Sequence, residues 1–226
     1  MGINQIKIFF LEIFFPKFCL GCQREGDYLC PDCKATLEIS EIHQSPPAGG
    51  LKDLYFALDY QKPLIKKSVK LFKYEPFVKE LAKPLSSLII EHFLLLEKQP
   101  DFGDFILIPI PLEKKKMKWR GFNQAEEIGK ELSKFLKIPL LNNILLKTRE
   151  TLPQVELTGK ERKENMKGAF LVQNNDLIKN KKILLVDDIY TTGSTMKEAA
   201  RVLKEAGGKE IIGIAVARAS PEDDSF

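Results

Sequence analysis

IleLeuLeuValAspAspIleTyrThrThrGlySerThr, residues 183–195, is an apolar run that meets two carboxylates and then turns through hydroxyls and a glycine. Ile183 to Val186 follow the charged Lys181 and Lys182 without a polar interruption, the pattern of a strand buried on both faces of a parallel sheet. Beyond the turn, Met196, Ala199, Ala200, Leu203 and Ala206 recur at helical spacing, and Gly207 and Gly208 stand where that helix would end. Strand, turn and helix in this order make an α/β unit. Ligands bind such sheets beyond the carboxyl ends of the strands, which is where this turn falls.

The first N–H groups of a helix lack intrahelical partners and lie at the positive end of its dipole, so Thr191, Thr192, Gly193, Ser194 and Thr195 offer an anion site. Gly193 permits close backbone approach, and the hydroxyls add donors. Asp187 and Asp188 would repel the same anion and must face something else, such as vicinal ribose hydroxyls or Mg²⁺. A ribose 5-phosphate laid along the loop fits both halves, with the phosphate over the helix start and the sugar over the acids. The plainer alternative is that the two acids only complement the helix dipole. Neither the GxxxxGK[ST] phosphate loop nor a GxGxxG dinucleotide turn is present.

Two further segments bear on this turn. ProIleProLeu at 109–112 leads to ArgGlyPheAsnGln at 120–124, and LysThrArgGluThrLeuProGln at 147–154 leads to GluArgLysGluAsnMet at 161–166. Residues 183–195 resemble the 5-phosphoribosyl 1-pyrophosphate (PRPP) motif of type I phosphoribosyltransferases. The additional segments narrow the resemblance to the ComF family of competence-related, phosphoribosyltransferase-like proteins. It extends over nearly the whole chain, because fuller family members also carry an N-terminal four-cysteine knuckle.

The resemblance implies a type I phosphoribosyltransferase fold, an open and mostly parallel sheet flanked by helices, with PRPP and Mg²⁺ as ligands. It places Asp187, Asp188 and Arg120 as the catalytic candidates. Ile189, Tyr190, Thr191, Thr192, Gly193, Ser194 and Thr195 would receive the ribose phosphate, and Pro109, Ile110 and Pro111 the diphosphate. Gln124 would reach the same pocket, and Arg149, Gln154 and Arg162 would belong to a hood that closes over it. Purine-salvage relatives carry an Asp two residues before the motif glycine, where this chain has Thr191. Proton abstraction from a purine by that residue is therefore unavailable, leaving a different acceptor or PRPP binding without turnover.

The cysteines form two CxxC pairs, Cys19 with Cys22 and Cys30 with Cys33. This spacing suits tetrahedral structural Zn²⁺; the alternative is a pair of disulfides. The expected compartment is the reducing cytosol, which favours metal. Upstream, Ile6, Phe9, Phe10, Ile13 and Phe14 share one helical face, but the apolar run is shorter than the ~20 residues that span a bilayer. That face is expected to pack on the next domain or on a second copy of the chain, without stable membrane insertion. His43 reads as a loop residue and His92 as part of a helix.

A chain of 226 residues, 44% hydrophobic, holds one α/β domain and a small appendage. SerProProAlaGlyGly at 45–50 sets the boundary, with a zinc domain over 1–50 and the transferase-like domain over 51–226. Strands are expected near 54–60, 105–109, 140–146, 169–172 and 210–217 besides 183–186, and helices over 63–97 and 122–137. ThrGlyLysGlu at 158–161 has capping-box spacing. The net charge of +4 is mild, but basic runs at 114–120 and 160–167 flank the active-site segments, whereas LysAsnLysLys at 179–182 reads as solvated surface. Three functions follow: a PRPP-dependent transferase of unknown acceptor, a competence protein handling single-stranded DNA, and a non-catalytic PRPP sensor. The DNA reading draws on Lys114 to Arg120 beside Trp119, which stacks on a base or packs on the sheet. Other competence proteins would then be its partners.

Overall fold

The structure, a computed structural model, describes residues 16–44, 50–148 and 166–219. The N-terminal apolar run, most of the expected linker, the capping-box segment and the C-terminal tail lie outside the described residues. Four strands, β1 (Asp53–Asp59), β2 (Phe105–Pro109), β5 (Lys182–Val186) and β7 (Glu210–Arg218), form a parallel sheet in the order β1-β7-β5-β2. A two-residue strand, β6 (Ile189–Tyr190), also pairs with β7. The short strands β3 (Leu145–Lys147) and β4 (Phe170–Val172) form a separate antiparallel pair.

The apolar run at 183–186 sorts its side chains by strand alternation. Leu184 and Val186 enter a core with Ile65, Val69 and Phe72 of α2 (Pro63–Lys73), Leu85, Leu88 and Ile89 of α3 (Ala82–Leu95), and Ile128 and Leu132 of α5 (Gln124–Leu136). Ile183 and Leu185 enter the opposite core, against Met196, Ala199, Ala200 and Leu203 of α6 (Ser194–Glu205) and against β3 and β4. Burial on both faces explains why this strand reads as continuously apolar. All four carboxyl ends of the parallel strands meet at one edge of the sheet.

One basic segment takes a definite form, and one local expectation changes. The basic run at 114–120 is a seven-residue helix, α4 (Lys114–Arg120), because straight-chain Lys and Met favour helix; Gly121 ends it at φ +79°. Only the end of the expected 140–146 strand is extended, since Asn142 and Asn143 turn the chain and Leu140 makes one isolated bridge to Leu107.

The knuckle shares the larger core. Leu29 is buried within it, and Leu20, Tyr28, Leu37 and Ile39 pack against it. Lys67 Nζ donates to the Leu20 carbonyl at 2.9 Å, Ser40 N donates to Ala57 O at 2.7 Å, and Lys34 pairs with Glu91 at 2.7 Å. His92, buried in α3, meets the Ser40 carbonyl through Nδ1 at 2.5 Å, whereas His43 stacks on Tyr55 and faces Asp53.

Candidate functional site

Asp187 and Asp188 are held by the sheet. Val186 lies opposite Ile214 and Ile189 opposite Ala217, so the chain runs in unbroken register along β7 through both acids. Asp187 N donates to Ile214 O at 2.9 Å and Val216 N donates to Asp188 O at 3.0 Å. Side-chain direction is fixed as firmly: Asp188 N donates to Asp187 Oδ1 at 2.9 Å, and Ile189 N donates to Asp188 Oδ1 at 2.7 Å.

Asp188 is 6% exposed, and Lys73, the last residue of α2, holds its Oδ1 at 2.9 Å. Burial first, and the adjacent Asp188 charge second, push the Asp187 carboxyl up to about 7, with Lys73 opposing them. For Lys73, burial works against the ammonium, but the charges of Asp188 and Asp187 outweigh it and raise the pKa above the ordinary lysine value.

After the acids the chain turns onto α6. Thr192 Oγ1 lies 2.7 Å from Ser194 Oγ and accepts from Ser194 N at 3.3 Å, which groups the hydroxyls at the helix start. Gly193 caps α6 at φ +73°, and a Cβ there would collide with the Tyr190 ring. Glycine is thus demanded twice, by conformation and by space. The side chain of Tyr190 is core and lies under Gly193, whereas that of Ile189 packs against the opposite core.

The ProIlePro turn joins the same edge. Ile110 N donates to Val186 O at 2.8 Å, and its side chain is buried among core residues while Pro111 is partly exposed. Asn123 locks this turn to the next helix: Nδ2 donates to Ile110 O at 2.9 Å, and Oδ1 accepts from Ala125 N at 3.1 Å as the cap of α5. Arg120 donates to Gln124 Oε1, and Gln124, 2% exposed, donates through Nε2 to the Phe72 carbonyl at 2.9 Å. Burial draws the guanidinium below its ordinary pKa, the Asp188 charge partly restores it, and Arg120 Nε is buried with no hydrogen-bond partner among the described residues. Gln124 therefore ties Arg120 to the end of α2. Phe122 is core.

Sequence reading missed Lys73, because α2 carries Lys66, Lys67, Lys70 and Lys73 with nothing to set the last apart. It also missed a buried pair, Lys147 Nζ with Glu113 Oε1 at 3.0 Å, which anchors the end of β3 beside the ProIlePro turn. Burial lowers the Lys147 pKa, against the Glu113 charge. The structure brings Asp187, Asp188, Arg120, Gln124, Pro109 and the 191–195 turn to one edge of the sheet. Arg149, Gln154 and Arg162 lie outside the described residues.

On the α2 and α3 side of the molecule, Cys19, Cys22, Cys30 and Cys33 bring their Sγ atoms within 4.8 Å of one another. All four are free thiols, and the sulfurs of Cys22 and Cys30 are 3.6 Å apart, far beyond the ~2.05 Å of a disulfide. A tetrahedron with ~2.3 Å metal–sulfur bonds has sulfur–sulfur edges of ~3.8 Å, so the four thiols fit a metal such as zinc. Backbone N–H groups of Cys30 and Cys33 point at Cys19 Sγ and Cys30 Sγ, both at 3.5 Å, as thiolate ligands require. Gly21 leaves room for this cluster, since a Cβ there would lie 2.7 Å from Cys33 Sγ.

Residues 125–225 match the family described as phosphoribosyl transferase domain. The matched stretch begins at α5 and takes in β5, the two acids, the 191–195 turn and α6. The chain is 40% identical over 114 residues to competence protein F of Haemophilus influenzae, covering 50% of each chain. Competence protein ComFC of Bacillus subtilis is 34% identical over 104 residues, 46% of this chain and 40% of that one. DNA utilization protein YhgH of Escherichia coli is 28% identical over 203 residues, 85% of each. The matched stretch thus spans half or less of the two competence proteins and most of YhgH. These relatives bear out the resemblance to the ComF family. Among the described residues, no helix is long and apolar enough to cross a membrane.

Proposed function

We propose that this chain is a ComF-type PRPP-binding protein that supports DNA uptake by handling single-stranded DNA, with Mg²⁺ accompanying PRPP and one structural Zn²⁺ in the knuckle. The observation that carries the PRPP reading is the joint placement of two acids, a glycine-capped hydroxyl turn and Arg120 at one carboxyl edge of the phosphoribosyl transferase domain. The turn and the start of α6 suit the 5-phosphate, the acids suit ribose hydroxyls or Mg²⁺, and Arg120 suits the diphosphate. Arg149, Gln154 and Arg162 stay as hood candidates. The names of the relatives, competence protein and DNA utilization protein, support the DNA role.

For DNA, α4 offers the best surface. Lys114, Lys115, Lys116 and Lys118 are exposed, and Trp119 is 54% exposed with its ring edge-on to Phe77 at 4.8 Å. An exposed ring among cations suits an unpaired base beside its phosphates. Isothermal titration of the full chain with PRPP and Mg²⁺ tests the ligand, and no binding would overturn it. Pyrophosphate release on a panel of nucleobases separates turnover from binding alone, since a transferase would need only to position its reactants and stabilise the leaving diphosphate.

A further inference from the structure

Lys73 stands out among the lysines of the described residues. Its partner Asp188 is almost wholly buried, yet the Lys73 side chain keeps a quarter of its surface exposed. The backbone beneath it is rigid: Phe72 is fully buried, and its carbonyl accepts from Gln124, the same side chain that accepts from Arg120. Gln124 thus ties the ends of α2 and α4 together and brings an ammonium and a guanidinium to the same acid pair. Burying an ion pair adds little stability once desolvation is counted, so the fold gains little from this pair as such. A lysine on a flexible four-carbon stem can change partners without moving its helix.

We infer that Lys73 is a built-in counter-ion of the acid pair that turns to the diphosphate of the ligand, forming with Arg120 a two-cation cradle. The inference rests on the PRPP reading above. In the free protein Lys73 neutralises Asp188 and keeps the acids from taking up a divalent cation on their own. When PRPP binds with Mg²⁺, Lys73 leaves Asp188 and pairs with the diphosphate. Gln124 is the positioning residue of this arrangement.

The test is calorimetry on the full chain and its Lys73→Met, Lys73→Gln and Lys73→Arg variants, with three probes in Mg²⁺: PRPP, inorganic pyrophosphate and ribose 5-phosphate. Lys73→Met is expected to lose about tenfold or more in affinity for PRPP and pyrophosphate, the size of one charge-assisted hydrogen bond. Ribose 5-phosphate affinity should stay within about twofold, and Lys73→Arg should restore much of the loss. Mn²⁺ alone, followed by electron paramagnetic resonance, should bind Lys73→Met about tenfold more tightly than the parent. Lys73→Gln, which can still hydrogen-bond Asp188, replaces the Met variant if that one does not fold. Equal loss for all three probes would mean that Lys73 only supports the site, and unchanged PRPP affinity would remove it from the cradle; either result overturns the inference. A parent that binds ribose 5-phosphate but a variant indifferent to Lys73 refutes this inference alone, whereas a parent that binds neither sugar phosphate refutes the PRPP reading as well.

Discussion

Changing pH across neutrality should titrate the acid pair and with it the Mg²⁺-dependent affinity for PRPP. Burial and the Asp188 charge put the Asp187 carboxyl at about 7, so it is about nine-tenths ionised near pH ~8 and about one-tenth near pH ~6. If the ionised form is the one that binds, affinity should fall about tenfold over that interval. PRPP carries its own titrating group, because the second ionisation of a phosphate monoester lies near 6. The Asp187→Asn variant separates the two: it retains whatever slope the ligand contributes and loses the part that belongs to the protein. The assay is isothermal titration at three pH values with constant ionic strength and Mg²⁺. A parent whose profile has the same slope as Asp187→Asn refutes the assignment of Asp187 to the cation or the ribose. The same shift fixes a sign for stability. A carboxyl whose folded pKa is raised contributes stability that is fully present below its unfolded value near 3.9 and is lost as pH rises through about 7. Above that pH the parent carries the whole cost of a buried charge, so Asp187→Asn should melt higher than the parent near pH ~8 and show little gain below pH ~4.

Further outcomes are specific to other parts of the molecule. Metal analysis of reduced protein should find one Zn²⁺ per chain; because Leu29 sits in the core shared with α2 and α3, chelation should lower the melting temperature of the whole domain, and an unchanged melt would refute that coupling. Gly193→Ala forces a side chain into φ +73° against the Tyr190 ring, so urea unfolding should show a loss of about 1–3 kcal/mol, and PRPP titration a loss of binding. Replacing Lys114, Lys115 and Lys116 by Ser should weaken binding of a single-stranded oligonucleotide and flatten its salt dependence, with PRPP affinity retained. An unaltered salt slope would move the DNA surface away from α4.

Local signals carried much of this protein. The unbroken apolar run at 183–186 announced a strand covered on both faces, and Leu184 and Val186 do face one core while Ile183 and Leu185 face the other. Periodicity located α6 and α5 within two residues of their ends, and cysteine spacing alone described a cluster that the structure closes to within 4.8 Å. These are readable because period, capping and ligand spacing depend only on near neighbours along the chain.

Partners across the fold were not readable. Nothing around Lys73 distinguishes it from Lys66, Lys67 and Lys70 until the end of α2 is set against the carboxyl edge of β5, where Asp188 waits. Lys147 and Glu113 likewise meet only because β3 folds back beside the ProIlePro turn. That Gln124 is buried between the Phe72 carbonyl and Arg120 is likewise a fact of packing. The basic run at 114–120 was helical for a local reason, yet the exposure of Trp119 and its contact with Phe77 belong to packing. The sequence alone located most of the elements and pointed to the residues of the candidate site, because that information is written within a turn or two of backbone. Tertiary structure decided which charges face one another, because an ion pair depends on distance in space and on the burial that strengthens it.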